Sequence, residues 1–351
     1  RQADKIYTDY KTDPDERDDW KRHWHSFASK RLFGIEINDQ ISRVAKMNMI
    51  IHDDGHTNVV MHDGLFNIDI IAANTKNEGF KADNFDFIIT NPPFGSIVKQ
   101  SEKSYMKAND NTAPYYDFSL KEVNWIDQKL KKKHKAASRP NQSTEVLFLE
   151  QCHKFLKADG YVAIVVPDGI LTNSSLQYVR DSIEDLFRIV AVVSLPQHTF
   201  THTGAGVKTS VLFLRKYDEQ TTQDIKALKV KLQDRVAEEN KLEANVKALE
   251  NEKKAKLKPL RAKDEATKAR RKAISEDYGN RIKEIKEDIE AEYLTSKQNE
   301  LHSYPIFMAI AESIGYDATG KVSAENDLAD IETELARFIE AIENGTDANF
   351  R

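Results

Sequence analysis

The sequence predicts an α/β protein with an open, doubly wound sheet, interrupted by one long helical insertion. Three observations predict it. Short apolar runs recur along the first hundred residues, and each ends in an acid or an amide, at Glu36, Asp63 and Asn91. The run Tyr161 to Pro167 is almost wholly apolar, as a strand buried on both faces requires. Between Asp218 and Tyr278 there is no glycine and only Pro259, and apolar residues fall at alternating three- and four-residue spacing.

Arg31 to Asn38 reads as a short strand ending in Glu36, followed by a helix with Ile41, Val44, Ala45 and Asn48 at helical spacing. Asn58 to Leu65 is a second short strand ending in Asp63, and Phe85 to Thr90 a third. An acid at the carboxyl end of a strand suits the two hydroxyls of a ribose. Ser143 or Thr144 is expected to cap an amphipathic helix carrying Val146, Leu147, Leu149, Cys152, Phe155 and Leu156, which stops at Gly160. After Tyr161–Pro167, Asp168 to Asn173 is a polar turn into a helix with Val179, Ile183 and Leu186. A strand over Arg188 to Leu195 follows. The loop bearing Gly204 and Gly206 is too short for a crossover helix, so Thr209 to Arg215 is expected as an antiparallel last strand.

Asn91-Pro92-Pro93-Phe94 directly follows the third strand. Each proline fixes its own φ, lacks an N–H and pushes the preceding residue into extended geometry. Asn91 is therefore held out from the end of the sheet, where open α/β folds bind ligands. The Asn91 side-chain oxygen and the Pro92 carbonyl suit the two N–H bonds of an exocyclic amine. Phe94 suits the face of the ring that bears it, a stacking worth about 1–3 kcal/mol. A Pro-Pro turn closing a strand is the plainer alternative.

Asn91 to Phe94 resembles the (Asn/Asp/Ser)-Pro-Pro-(Tyr/Phe/Trp) motif of S-adenosylmethionine-dependent amino-methyltransferases, above all the adenine-N6 DNA methyltransferases. Ser143 to Glu150, Val165 to Leu171, Tyr304 to Ala309 and Ile314 to Asp317 resemble, more narrowly, the modification subunit of type I restriction-modification systems. The likeness covers Arg31 to about Arg215 and resumes near Tyr304. It implies a Rossmann-like methyltransferase fold, catalysis by Asn91, Pro92, Pro93 and Phe94, and S-adenosylmethionine held by Glu36, Ile37, Asp63, Gly64 and Asn91. It also implies double-stranded DNA as substrate, a specificity subunit as partner and a restriction subunit as a further one.

The family's glycine-rich cofactor loop, Asp-Pro-x-x-Gly-x-Gly, should precede Glu36, and no such run is present; nor does the chain begin with Met. Arg1 to Tyr10 look like the tail of the helix after that loop, and Lys11 to Ser29 like an acidic, aromatic insertion. The expectation is an amino-terminally truncated sheet lacking its first strand. Its two inner edges would then stand exposed, an aggregation hazard, and cofactor binding would be poor.

Three regions are expected: a partial catalytic domain over 1–217, a helical hairpin or coiled coil over 218–300, and a carboxyl-terminal helical segment over 301–351. In the second, Ile225, Leu228, Leu232, Leu242, Val246 and Leu249 form one seam, with Arg235 and Glu239 as polar interruptions. Ile274, Ile282, Ile285, Ile289 and Tyr293 form the returning arm, bent either near Pro259 or at Tyr278-Gly279-Asn280. A charged, partly disordered spacer is the alternative. Between Phe94 and Ser143 lies a long insertion with Tyr105, Tyr115, Tyr116, Phe118 and Trp125, and with the basic run Lys131, Lys132, Lys133 and Lys135. That run suits DNA phosphates or is a solvated helix face.

The 351 residues suffice for one large α/β core with an appendage. One cysteine excludes a disulfide framework and points to a reducing cytoplasm. No apolar stretch approaches membrane-span length. A net charge of −5 argues against a nucleic-acid-binding surface over the whole molecule, leaving local patches or a partner. The pairs His52/His56 and His198/His202 lack the surroundings of a zinc helix, so no metal is expected. The reading is therefore methyl transfer from S-adenosylmethionine to the N6 amine of adenine in DNA. Its rivals are a protein-glutamine or RNA amino-methyltransferase and a non-catalytic assembly subunit.

Overall fold

The computed structural model describes residues 17–52, 58–75, 78–99, 116, 121–122, 125–130, 137–138, 141–204, 206–260, 264–301 and 304–346. In chain order, α1 (Arg17–Arg31) leads into β1 (Gly34–Glu36), α2 (Asp39–Ile51), β2 (Val59–Met61), α3 (Ile68–Ala73) and β3 (Phe85–Thr90). The segment after Phe94 contributes β4 (Ile97–Lys99), β5 (Lys121–Glu122), α4 (Trp125–Lys129), β6 (Ala137–Ser138) and β7 (Asn141–Ser143). Then come α5 (Thr144–Phe155), β8 (Leu156–Pro167), α6 (Asp168–Thr172), α7 (Gln177–Leu186), β9 (Phe187–Ser194) and β10 (Thr209–Lys216). Three long helices follow, α8 (Glu219–Glu239), α9 (Leu242–Leu257) and α10 (Glu265–Leu301). The chain closes with β11 (Phe307–Ile310), β12 (Ile314–Tyr316), β13 (Val322–Asn326) and α11 (Leu328–Glu343).

The main sheet has five strands in the order β11-β9-β10-β8-β3. β3 and β8 are parallel, β11 and β9 are parallel, and β10 lies antiparallel between β8 and β9, as the short connection requires. Val162, Ile164 and Val166 of β8 and Leu212 and Leu214 of β10 are almost completely buried. They pack against Val146 and Leu149 of α5 and Val179 and Ile183 of α7. β1 and β2 form a separate parallel pair, Gly34 opposite Val59 and Glu36 opposite Met61. No ladder joins β1 to β3 among the described residues. The two sheets instead meet through aromatic rings: Phe33 lies 5.2 Å from Phe85, and Phe80 lies 5.6 Å from Phe85 and 5.8 Å from Phe155. On β3 the side chains of Phe87 and Ile89 are 71% and 89% exposed.

Several boundaries differ from the sequence reading, each for a physical reason. The helix before β8 ends at Phe155, not Gly160. The buried Lys216 Nζ donates to the His153 and Leu156 carbonyls at 2.8 and 2.7 Å and to the Asp83 carboxylate at 2.6 Å, stopping the helix there. Gly160 lies inside the strand, where a Cβ would stand 2.9 Å from the Phe85 carbonyl. The span from Lys11 to Ser29 includes helix from Arg17 onward. Thr209–Arg215 is not the last strand, because Phe307–Ile310 adds to β9 beyond it. The region after 300 is accordingly mixed, with β12 and β13 pairing antiparallel before α11. Lys131, Lys132, Lys133 and Lys135 lie outside the described residues, as does Arg1 to Tyr10.

In the long helices, Leu232, Val236, Leu242, Val246, Ile289 and Tyr293 form one buried cluster that also takes in Ile126 of α4. Val236 thus joins the seam beside Arg235. The first run is broken at Lys241, which adopts left-handed geometry (φ 48°) and separates α8 from α9. The reversal falls around Pro259, between α9 and α10, while Tyr278, Gly279 and Asn280 continue the α10 helix. Both roots of this arm grip α7. Lys297 Nζ meets Glu184 at 2.6 Å and Asp181 at 3.0 Å, and Lys229 pairs with Asp185. Burial opposes the charge on Lys297, but Glu184 and Asp181 outweigh it and raise its pKa.

Candidate active site

Residues Asn91 to Phe94 emerge from the carboxyl end of β3. Asn91 is exposed, Pro92 is buried and Phe94 is half-buried. The turn is held from α5. Thr144 Oγ1 donates to the Pro93 carbonyl at 2.7 Å, and Thr144 N donates to the Ser96 carbonyl at 3.0 Å. β4 then pairs antiparallel with β7, Ile97 opposite Ser143, which fixes the exit of the turn beside the start of the same helix. Neither Ser143 nor Thr144 makes the side-chain cap expected for α5. The Thr144 hydroxyl, one of the two expected caps, is committed to the Asn91–Phe94 turn instead.

One and two turns further along α5, the same helix holds the other end of the site. Gln151 Nε2, fully buried, donates to the carbonyls of Gly64 and Phe66 at 2.8 Å each. The Phe148 ring lies against Gly64, where an added Cβ would stand 3.2 Å from it. Tyr116 OH donates to the Leu65 carbonyl at 2.5 Å. Positions 144, 148 and 151 share one helical face, so a single element sets both the Asn91–Phe94 turn and the Asp63–Phe66 turn. Sequence reasoning took Thr144 for a cap and passed over Gln151 and Phe148. The available signal was a glutamine at i+7 from Thr144, on the same face of an otherwise apolar helix.

The two acids end the small parallel sheet together. Glu36 Oε1 accepts from the Asn38 amide at 2.7 Å, and Asp63 Oδ1 accepts from the Leu65 amide at 2.9 Å; both side chains are half-buried. The His62 amide donates to the Glu36 carbonyl at 3.1 Å, which keeps the two strand ends in step. Ile37 is 66% exposed beside them. Each carboxylate thus has one oxygen in an amide contact that sets its orientation. This acceptor set matches vicinal hydroxyls or a heterocyclic amine.

A second aromatic stands across from Phe94. Phe200, in the loop between β9 and β10, lies 5.7 Å from it with ring planes at 74°. Its loop is pinned on both sides by Tyr316 of β12, whose OH donates to the Thr199 carbonyl at 3.2 Å and whose ring lies 5.5 Å from His202. His198 Nε2 also approaches the Tyr316 carbonyl at 3.4 Å. Both loop histidines are therefore engaged with β12. Phe200 carries no periodic signal, being a single aromatic in a Thr-rich loop, and the sequence reading did not find it.

Two buried groups on α5 are held in their neutral forms. Burial pushes the Cys152 thiol up to about 12. Burial, with Lys216 beside it, lowers His153 to about 3, so its ring stays neutral. Among the described residues no group of three or more His, Cys, Asp or Glu side chains suits a metal ion, and no helix is long and apolar enough to cross a membrane.

Comparison with known proteins places these features in context. The family model for N-6 DNA methylases matches residues 16–292. The type I restriction enzyme MpnII methylase subunit of Mycoplasma pneumoniae is 25% identical over 193 residues, which cover 52% of this chain and 30% of that one. The type I restriction enzyme StySPI methylase subunit of Salmonella potsdam is 25% identical over 226 residues, 61% of this chain and 35% of that one. Among solved structures, the M protein of the type I restriction enzyme EcoKI aligns at 22% identity with a TM-score of 0.36, covering 60% of this chain and 34% of that one. The matches span about a third of the length of these curated relatives.

Proposed function

We propose, since the chain belongs to the N-6 DNA methylase family, that it transfers a methyl group from S-adenosylmethionine to the N6 amine of adenine in DNA, as a type I modification subunit. The observation that carries this reading is the sharing of α5. Thr144 holds the Asn91–Phe94 turn, while Gln151 and Phe148 hold the Asp63 turn. Amine-binding and cofactor-binding groups are thereby set at a fixed separation, as a direct transfer between two bound molecules demands.

Adenine N6 is conjugated into its ring and weakly nucleophilic. The Asn91 side-chain oxygen and the Pro92 carbonyl accept its two N–H bonds, turn its lone pair toward the methyl donor and stabilise the positive charge that develops on nitrogen. Pro92 has no N–H to compete for that role. Phe94 and Phe200 close on the base from two directions, the edge-to-face disposition leaving a face of Phe94 for stacking. Such a pocket receives a base only after it leaves the duplex. Glu36 would hold the ribose hydroxyls of S-adenosylmethionine, and Asp63 with Gly64 and Ile37 the adenine end. Bound there, the cofactor supplies an activated methyl group on sulfur, and no protein side chain becomes covalently modified. The specificity subunit that supplies target recognition in this reading docks on the helical region over 218–300; a restriction subunit is a further partner.

The test is methyl transfer from labelled S-adenosylmethionine to unmethylated DNA, using the native full-length protein with its accompanying subunits, followed by nucleoside analysis. Label in N6-methyladenine that is abolished by Asn91→Ala, with cofactor binding retained, is the expected result. Label in protein or RNA alone, or transfer that survives Asn91→Ala, overturns the reading.

A further inference from the structure

The distal end of the helical arm concentrates positive charge in an otherwise acidic chain. From Lys253 to Ala273 there are ten Lys or Arg residues against only Asp264 and Glu265, a surplus of eight; the whole chain carries −5, so the remainder carries −13. Nearer its root several of the arm's cations are neutralised: Lys297, Lys229, Lys286 and Arg235 sit in ion pairs with Asp or Glu side chains. At the distal end, Lys253, Lys254, Lys258 and Arg270 have no ion-pair partner among the described residues, and Lys254, Lys258 and Arg270 are exposed. Like charges one turn apart, such as Lys254 and Lys258, destabilise a helix unless an anion lies against them.

The arm also touches the segment inserted after the Asn91–Phe94 turn. α7 descends from the carboxyl end of β8 to the start of β9, and Lys216 at the end of β10 lies level with Phe187. α8 therefore begins at the amino end of β8 and crosses α7, where Lys229 meets Asp185. Both arms then meet α4, in the segment inserted after Phe94: Asp234 of α8 pairs with Lys129, Trp125 Nε1 donates to Glu290 of α10 at 2.7 Å, and Lys286 of α10 meets Asp127 at 2.6 Å. Beyond Lys286 the described polar contacts of α9 and α10 are with each other, Tyr278 OH to Glu252 at 3.2 Å and Arg271 to the Leu260 carbonyl at 2.6 Å. The 16 residues of α9 carry the basic end about 24 Å further.

We propose that the end of the arm formed by Lys253, Lys254, Lys258 and Arg270 is a phosphate-backbone contact for duplex DNA flanking the base in the active site. The choice of DNA as the polyanion rests on the methyltransferase reading. The contact is sequence-independent: flexible ammonium and guanidinium groups on a helix reversal bind phosphates and read no bases. Its work is to add affinity and to orient the duplex over the Asn91–Phe94 turn, against the repulsion of a negatively charged body.

The test is the salt dependence of binding to two arbitrary duplexes, of about 12 and about 40 base pairs, for the native protein and a Lys253→Gln/Lys254→Gln/Lys258→Gln/Arg270→Gln variant. Each phosphate neutralised steepens the plot of log K against log salt by about 0.9. The native protein should show a slope steeper on the long duplex by about 3 to 4, and the variant should lose that difference while its slope on the short duplex and its helix content stay unchanged. Equal slopes on the long duplex for the two proteins overturn the proposal, as does a variant whose DNA binding is intact but which no longer retains an accompanying subunit. Loss of N6-methyladenine formation by the native protein would refute the methyltransferase reading alone, because the slopes are read without catalysis.

Discussion

The Thr144 hydroxyl donates to the Pro93 carbonyl across 2.7 Å, joining the first residue of α5 to the turn that bears Asn91. Thr144→Val keeps the shape and deletes the donor, leaving a carbonyl beside a methyl group. The expected cost is about 1–3 kcal/mol, shared between folding and the geometry of the turn. Methyl transfer should fall about tenfold in kcat, with cofactor affinity little changed because the Asp63 turn is held elsewhere. Steady-state kinetics beside cofactor titration check this; an unaltered kcat removes Thr144 from the site.

Tyr316 should act on the reaction only through Phe200. Tyr316→Phe removes the hydrogen bond to the Thr199 carbonyl and retains the ring against His202. A loss of about fivefold in kcat/KM is expected, equivalent to one ordinary hydrogen bond of about 1 kcal/mol. Combined with Phe200→Ala, the same change should add nothing, because residues acting in series are not additive. A further loss in the double variant would show a separate role.

Lys297 should matter to stability more than its place near the end of a surface helix suggests. Lys297→Met leaves Asp181 without its cation and Glu184 with only Lys229, at 3.7 Å. Breaking a fully buried pair costs about 3–5 kcal/mol. Here Asp181 is 43% exposed, so solvent screening reduces the expected loss to about 2 kcal/mol. The urea midpoint of unfolding measures it.

His153 makes the fold acid-sensitive. Its pKa is lowered from 6.5 to about 3 by burial, then by Lys216. The unfolded chain therefore takes up a proton below pH 6.5 that the folded chain refuses, and stability present above that pH is lost as pH falls toward 3. Between pH 6 and 5 the slope should approach about 1 kcal/mol per unit. His153→Gln should flatten it in calorimetric melts over that interval.

How much of this was legible in the sequence depends on the kind of signal. The apolar run Tyr161–Pro167 and the antiparallel Thr209–Arg215 follow from burial and connection length, both local properties, whereas local chemistry does not choose between Pro259 and Tyr278-Gly279-Asn280 for the bend in the long helices. The end of α5 was not legible, because it is set by Lys216, some sixty residues downstream. Phe307–Ile310 is too short for its alternation to show, and it becomes a strand only because β9 offers an edge. Within the site, Asn91 to Phe94 and the two acids stood out by their position after strands. Gln151, Phe148, Phe200 and Tyr316 are ordinary residues whose importance arises from what lies opposite them.

The separation of β1 and β2 from the five-stranded sheet has a dynamic consequence. Glu36 and Asp63 belong to a short two-stranded unit, whereas Asn91 extends from a strand embedded in the main ladder. Among the described residues the link between them is a cluster of aromatic and aliphatic side chains with the contacts of one helix. Such junctions yield before ladders do. Amide exchange should therefore reveal two protection classes within a single site, with the carboxylate-bearing turns opening at a lower free energy than β8 and β10. Whatever binds across both ends would bring their exchange rates together.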